Sequence, residues 1–312
     1  MVPLTNAHTH LELTDLADLC PVEPVDFVIW LARLAWRLRQ RSETQIRAAI
    51  DRGLAELEAA GVTHVGDITH SWLSVAPLLA SGLHGVVYLE VLGQPRGRAL
   101  ARLAEAQAAI RQARRRPEYG PMQVGLSLHA PYSCHPDLLR AGAAWCRTED
   151  VPLCIHVAES PAETELLLTG RVSTLGRPLT WLARNLRLLP ATTPGLRPVP
   201  YLAGLGVLAA RPLLVHAVHV AAADIALLAE TSCSVVHCPR SNQRLSCGRM
   251  PLERYLAAGV PVYLGTDSRA SSPDLDSRAE AAFAVRLHAG LVEREQIEAL
   301  VHQKFPPNLE RR

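Results

Sequence analysis

The chain has 312 residues, with 32 basic and 30 acidic side chains and a formal net charge of +2. This length allows one large core, and the balanced charge argues against a nucleic-acid-binding surface. The sequence lacks a signal-peptide layout, and its seven cysteines form no CxxC pair, as expected for reduced thiols in a soluble cytoplasmic protein.

Short apolar runs alternate with helical patterns along the chain. A first strand is predicted at 2–7, and a long helical region at 26–60 ends at Gly61. Further strands are predicted at 62–67, 85–91, 123–129, 152–156, 212–216, 234–237 and 260–265. Helices are predicted at 71–81, 98–116, 136–149, within 162–189 and at 222–230. Eight buried strands that mostly alternate with helices favour an α/β fold, a closed (β/α)8 TIM-type barrel. An open doubly wound sheet is the alternative.

The barrel is predicted to occupy residues 1–303 as one domain. Lys304 is the only lysine, and it opens the closing run KFPPNLERR, whose composition differs from the rest of the chain. Residues 304–312 are therefore predicted to form a disordered tail, with an ordinary C-terminus as the alternative.

Histidines and acidic residues stand at or just beyond the C-terminal ends of the predicted strands. His8 and His10 lie two residues apart in NAHTHLEL, so in a strand both rings would face one side. The others are Asp67, Glu90, His129, His156, His216, His237 and Asp267. Barrels of this type build their active sites at this end, and buried imidazoles each need a partner. The pattern therefore predicts a metal site.

Six segments also carry a resemblance to a known enzyme family. They are NAHTHLEL (6–13), LHAPYSCHPDLL (128–139), CIHVAESPAE (154–163), LLVHAVHV (213–220), SVVHCPRSN (234–242) and LGTDSRASSPDLD (264–276). In this order they resemble the amidohydrolase superfamily of metal-dependent hydrolases, and within it the mononuclear deaminase and chlorohydrolase branch. The set looks most like the aminodeoxyfutalosine deaminases.

The resemblance implies one divalent metal ion, with zinc expected and iron the alternative. Its ligands would be His8, His10, His156 and Asp267. Binuclear members of the superfamily bridge two metals with a carbamoylated lysine on a barrel strand. This chain has no lysine before Lys304, which favours a single metal.

The resemblance also implies catalytic roles. A metal hydroxide would attack the amino-bearing ring carbon, Glu159 would protonate the neighbouring ring nitrogen, and His216 would hold the hydroxide beside Asp267. Residues expected to contact the substrate are His129, His237, Glu90 and Arg240, although a structural role is equally expected for the last two. Histidines expected to be ordinary are His64, His70, His84, His219, His288 and His302.

The implied reaction is hydrolytic deamination of an adenine-type nucleoside derivative, such as aminodeoxyfutalosine in menaquinone biosynthesis. One alternative is hydrolysis of a cyclic amide or a chlorinated ring, and another is a truncated, metal-binding but inactive barrel. The expected partner is a small-molecule substrate, with no nucleic acid or membrane. Full members carry a flanking β-sandwich that this sequence mostly lacks, so low stability is expected, which a homo-oligomer could relieve.

Overall fold

The computed structural model describes residues 3–115 and 121–306, in which strands and helices alternate. The strands are β1 (Thr5–Thr9), β2 (His64–Thr69), β3 (His84–Val91), β4 (Met122–Leu128), β5 (Leu153–Val157), β6 (Leu213–His216), β7 (Ser234–His237) and β8 (Val262–Leu264). The first helices are α1 (Phe27–Leu38), α2 (Glu43–Ala59), α3 (Val75–Ala80), α4 (Arg96–Arg114), α5 (Pro136–Glu149) and α6 (Pro161–Thr169). The later ones are α7 (Gly176–Asn185), α8 (Pro198–Gly204), α9 (Ala222–Glu230), α10 (Pro239–Arg244), α11 (Leu252–Ala257), α12 (Ser277–Leu287) and α13 (Arg294–Ala299).

All eight strands lie in one parallel sheet, in chain order from β1 to β8. Each strand pairs with the next one along the chain, as expected when a helix returns the chain to the same end of the sheet. The sheet curves until β8 meets β1, so the (β/α)8 barrel prediction is confirmed and the open-sheet alternative is wrong. In the described part, no helix has the length and apolarity that a bilayer crossing requires.

The seam between β8 and β1 is closed by individual hydrogen bonds. The Asp267 backbone N–H donates to the His8 carbonyl over 3.0 Å. The Asn6 side chain accepts from the Thr266 backbone N–H at 3.1 Å and donates to the Thr266 hydroxyl at 2.8 Å. Gly265 is required here because an added Cβ would lie 2.7 Å from the Cβ of His8. The first and last strands are thus held together by residues adjacent to the predicted metal ligands.

Two apolar layers support the barrel. The outer layer packs helices such as α2, α4 and α5 against the strands through Leu, Val and Ile side chains. The interior of the barrel is filled by Ala7, Ile68, Val86, Tyr88, Cys154, Leu213, Val215, Val236, Cys238, Tyr263 and Phe305. Because this interior is packed, a site can form only at the open C-terminal end of the strands.

Phe305 closes the opposite, N-terminal end of the barrel. Its side chain is 3% exposed, its ring lies 5.6 Å from that of Tyr263, and the hydroxyl of Thr5 donates to the Gln303 carbonyl. The predicted disordered tail therefore starts too early, because Phe305 belongs to the barrel core. The rest of that segment, 307–312, lies outside the described residues.

Several helices differ from their predicted bounds. The helical region predicted at 26–60 is two helices, because Ser42 and Gln45 form a capping box that starts α2 anew. The four helices between β7 and the end, α10 to α13, were not predicted. Three of them have only six residues each, which is too short to show a helical period in the sequence.

Candidate active site

A bulge in β1 directs the two histidines of the HxH pair. Thr9, and not His8, pairs with Asp67 of β2, so β1 contains one extra residue relative to its neighbour. Bulges re-aim side chains next to functional sites. The rings of His8 and His10 lie 4.9 Å apart at the mouth of the barrel. His10 donates through Nδ1 to the Ile68 carbonyl at 3.1 Å, which leaves Nε2 directed at the site.

His156, at the end of β5, brings a third imidazole to the same point. Its Nδ1 donates to the His129 carbonyl at 2.9 Å, so its Nε2 is also the free nitrogen. The His156 ring lies 5.1 Å from that of His8 and 5.4 Å from that of His10. One ring nitrogen from each of the three histidines lies within 4.8 Å of the other two. The three predicted imidazole ligands therefore converge.

Asp267 supplies an oxygen to this cluster. Its Oδ1 lies 3.5 Å from His8 Nε2 and 3.8 Å from His10 Nε2. Its Oδ2 accepts hydrogen bonds from the hydroxyls of Ser241 at 2.6 Å and Ser271 at 2.9 Å, which orient the carboxylate. The backbone of Asp267 is left-handed, with φ of +61°, a strained conformation of the kind found at functional sites. Burial alone would raise the pKa of Asp267, but the adjacent imidazoles hold it well below its usual range.

The donor set fits a divalent metal ion. In the described part, the buried His8 Nε2 has no hydrogen-bond partner, and a cation bound there would satisfy it. Burial lowers the pKa of both His8 and His10 to about 4, so both rings are neutral at pH 7, the form that binds metals. We call His8, His10, His156 and Asp267 the N3O cluster. Three imidazole nitrogens and one carboxylate oxygen are ligands that zinc prefers.

Glu159 and His216 stand beside the N3O cluster. Glu159 follows β5, and its Oε1 lies 3.4 Å from His216 Nε2. His216 Nδ1 bonds to Asn242 Oδ1 at 2.9 Å, which fixes the ring. Burial raises the pKa of Glu159 well above its ordinary value, and the negative charges of Asp267 and Glu163 raise it further. Both effects favour the protonated form of Glu159, which is the form that a general acid needs.

The sequence model of the amidohydrolase family matches residues 3–300. The chain belongs to the amidohydrolase family. Metal dependence is a property of this family, and the N3O cluster is the candidate metal site of this member.

Curated relatives of this amidohydrolase are deaminases. The chain is 38% identical over 309 residues to aminodeoxyfutalosine deaminase of Deinococcus radiodurans, covering 96% of this chain and 71% of that protein. It is 31% identical to 5-methylthioadenosine/S-adenosylhomocysteine deaminase of Halobacterium salinarum, covering 96% of this chain and 65% of that one. The chain thus spans about two thirds of the length of these relatives.

A solved structure supports the fold of this amidohydrolase. Helicobacter pylori aminofutalosine deaminase in complex with methylthio-coformycin superposes with a TM-score of 0.80 at 24% identity, covering 96% of this chain and 71% of that chain.

Glu90 and His129 line the space next to the N3O cluster. Each offers one ligand atom that lies within 4.8 Å of the other and of a ring nitrogen of His156. Glu90 Oε2 is bonded to His70 Nδ1 at 3.0 Å, whereas Glu90 Oε1 is buried with no partner in the described part. Both residues were predicted to contact substrate, and their positions are compatible with that role. The contact of His70 with Glu90 was not predicted, because nothing near His70 in the sequence indicates it.

His237 and Arg240 do not face the cluster. On β7, Val236 belongs to the barrel interior, so by strand alternation His237 points outward, and its Nε2 lies 3.1 Å from Nε2 of His288 just after α12. The guanidinium of Arg240 bonds to the carboxylates of Glu280 and Asp274. Both side chains therefore make contacts within the protein, of the structural kind that was equally expected for Arg240. Substrate binding by His237 and Arg240 stays a prediction.

Sequence reasoning also missed the residues that orient the site. Ser241 and Ser271 hold Asp267, and Asn242 holds His216. Ser241 and Asn242 lie inside the segment SVVHCPRSN and in α10, but a hydroxyl or an amide carries no sequence signal of the side chain that it contacts. Only the tertiary arrangement shows what each one contacts.

Proposed function

We propose that the chain is a metal-dependent hydrolytic deaminase of an adenine-type nucleoside derivative. The observation that carries this proposal is the buried Glu159, whose Oε1 lies 3.4 Å from His216 Nε2 beside the N3O cluster and whose pKa is raised by burial. Deamination of a heteroaromatic ring needs a proton donor for the ring nitrogen and a place for an activated water. Glu159 supplies the first, and the N3O cluster with His216 supplies the second.

The N3O cluster would hold one divalent ion, for which we propose zinc on the basis of its three nitrogen donors and one oxygen donor. When bound, such an ion acidifies water so that a nucleophile forms at neutral pH. His10 and His156 are already oriented to bind the ion through Nε2, because their Nδ1 atoms donate to backbone carbonyls.

The chain's own residues would then carry the protons. The depressed pKa of Asp267 keeps it ionised, so it accepts a proton from the attacking water while His216 fixes the position of that water. The water oxygen bonds to the amino-bearing carbon as Glu159 transfers its proton to the adjacent ring nitrogen. The proton taken by Asp267 passes to the amino group, and the carbon–nitrogen bond breaks with release of ammonia. As the ring carbonyl forms, the proton left on its hydroxyl returns to Glu159, which restores the acid for the next cycle.

The substrate is proposed to be aminodeoxyfutalosine or a related adenine nucleoside. The names of the two curated relatives support this class, because both are deaminases named for adenine nucleosides. Glu90, whose free Oε1 accepts hydrogen bonds, and His129 would contact the ribose and the ring. The expected role in menaquinone biosynthesis follows from the first of these names. We propose a cytoplasmic location, which the seven free cysteines support.

Ammonia release tests this function. Zinc-loaded protein is assayed with aminodeoxyfutalosine, adenosine, 5′-methylthioadenosine and S-adenosylhomocysteine, together with a chlorinated triazine and a cyclic amide. Ammonia from at least one nucleoside is expected. Glu159→Gln should reduce the rate by about 10²- to 10⁴-fold, the usual contribution of a general acid, with the metal retained. Glu165→Gln is the matched control, because the carboxylate of Glu165 bonds to Ser173, which lies outside the site. Turnover of the triazine or amide alone, or no turnover, would contradict the proposal.

A further inference from the structure

A buried carboxylate outside the N3O cluster holds the turn between β2 and α3. Glu12 is 4% exposed, and its oxygens accept four hydrogen bonds from three consecutive residues. The donors are the Thr69 hydroxyl at 3.2 Å, the His70 backbone N–H at 2.8 Å, and the backbone N–H and hydroxyl of Ser71 at 3.1 and 2.6 Å. The next residue, Trp72, has a φ of +66°. Since such a conformation is costly for a non-glycine residue, the turn depends on Glu12.

This turn carries the partner of Glu90. His70 Nδ1 donates to Glu90 Oε2 at 3.0 Å, and Trp72 Nε1 donates to the Glu90 carbonyl at 3.2 Å. The hydrogen bond raises the pKa of His70. Burial raises the pKa of Glu90, but the charge of His129 and the bond from His70 outweigh it, so Glu90 is ionised. The Glu90 carboxylate is therefore held by one oxygen, and its other oxygen, Oε1, is free.

The two carboxylates are linked through a single histidine. Glu12 fixes the backbone of His70, and the His70 ring fixes the rotation of the Glu90 carboxylate. An error of a fraction of an ångström at the turn would therefore be passed to the Glu90 carboxylate, one oxygen of which lies within 4.8 Å of a ring nitrogen of His156. The hydrogen bonds of the Glu12 carboxylate among the described residues go to residues 69–71, which lie outside the N3O cluster.

We propose that Glu12 is a positioning residue for substrate recognition, acting through His70 to aim the free oxygen of Glu90 at the ribose hydroxyls of a nucleoside. This inference rests on the proposed function, because it takes a nucleoside as the ligand. The segment NAHTHLEL would then serve two purposes. His8 and His10 bind the metal, and Glu12 sets the discrimination for a hydroxylated sugar.

Steady-state kinetics on paired substrates test the proposal. Glu12→Gln, His70→Ala and the double variant are compared with wild type on the best ribonucleoside from the ammonia assay and on its 2′,3′-dideoxy counterpart. Glutamine keeps the shape of Glu12 but replaces one acceptor oxygen with an amide nitrogen that cannot accept from Ser71. Asp15→Asn is the control, because Asp15 follows in the same 3-10 helical segment (Leu11–Leu19) but pairs with Arg41 at 2.7 Å.

Each single variant should raise KM for the ribonucleoside about tenfold, equivalent to about 1.4 kcal/mol, with kcat within about twofold of wild type. The dideoxy substrate should show no change. The double variant should have the same KM as the single variants, because Glu12 acts on Glu90 through His70 and the two changes remove the same contact. His70→Gln, which retains a donor for Glu90, should recover part of the loss. Metal content should stay at the wild-type level.

Equal losses on both substrates, a fall in kcat, or additive effects in the double variant would overturn the proposal. If wild type deaminates no nucleoside, the proposed function fails separately. In that case the His70 Nδ1–H resonance in proton NMR tests the positioning. The hydrogen-bonded signal should be present in wild type and lost in Glu12→Gln, and its persistence in that variant would overturn the role of Glu12.

Discussion

The seam between β1 and β8 should depend on Asn6. This side chain is fully buried, accepts from the Thr266 backbone N–H at 3.1 Å, and donates to the Thr266 hydroxyl at 2.8 Å. Asn6→Ala would leave that N–H buried without a partner, at about 1–3 kcal/mol, and would lose a second bond worth about 1 kcal/mol. A total of about 3 kcal/mol should lower the melting temperature by roughly 5 °C, because unfolding a chain of 312 residues carries an entropy of about 0.65 kcal/mol/K.

The same variant should also lose metal affinity, because Thr266 precedes Asp267 and the seam sets the distance from Asp267 to His8. The assay combines a thermal melt with metal analysis of the purified protein. Asn185→Ala is the matched control, since the side chain of this exposed asparagine donates to the Trp181 carbonyl within α7, far from the seam in the chain. The melting temperature of Asn6→Asp should fall between those of wild type and Asn6→Ala, because aspartate keeps the acceptor oxygen and loses the amide donor. Identical melts for Asn6→Ala and Asn185→Ala would refute the reasoning.

Three further changes probe the site. Chelating the metal should lower the melting temperature of wild type, since the ion binds the folded state; a melt unaffected by chelator would mean that the N3O cluster holds no ion. Gly265→Ala should reduce both stability and metal content, because its Cβ would lie 2.7 Å from the Cβ of His8, whereas Gly204→Ala, with nothing within 4 Å, should not. His237→Gln should lower stability and leave KM unchanged, because its ring contacts His288. A changed KM would instead support the prediction that His237 contacts substrate.

The barrel could be predicted because each strand is a short apolar run and each long helix has a visible period. The same reasoning missed α10, α11 and α13, since six residues are fewer than two helical turns. The predicted boundary between the barrel and the tail, at residues 303–304, lies before Phe305. Local composition does not show that this phenylalanine packs against strands that are far from it in the chain.

The candidate site was predictable in its chemistry and less so in its geometry. The three imidazoles and Asp267 could be grouped because parallel strands bring their C-terminal ends together. The orientation of His237 could not, since one residue of register decides which face of β7 it occupies. The bulge in β1, which turns both His8 and His10 to the mouth of the barrel, is also a matter of register between strands. The sequence HTH therefore gives no sign of it.

By itself, the sequence determined which functional groups the protein has and where along the strands they lie. It supplies imidazole and carboxylate donors and places Glu159 just after the strand that carries His156. It has no lysine before Lys304 that could bridge two metals. The tertiary structure decided their partners. It buried Glu159, which raises the pKa of its carboxyl group, oriented Asp267 with two serines, and linked Glu12 to Glu90 through His70. Such partnerships depend on distances between residues far apart in the chain, which only packing sets.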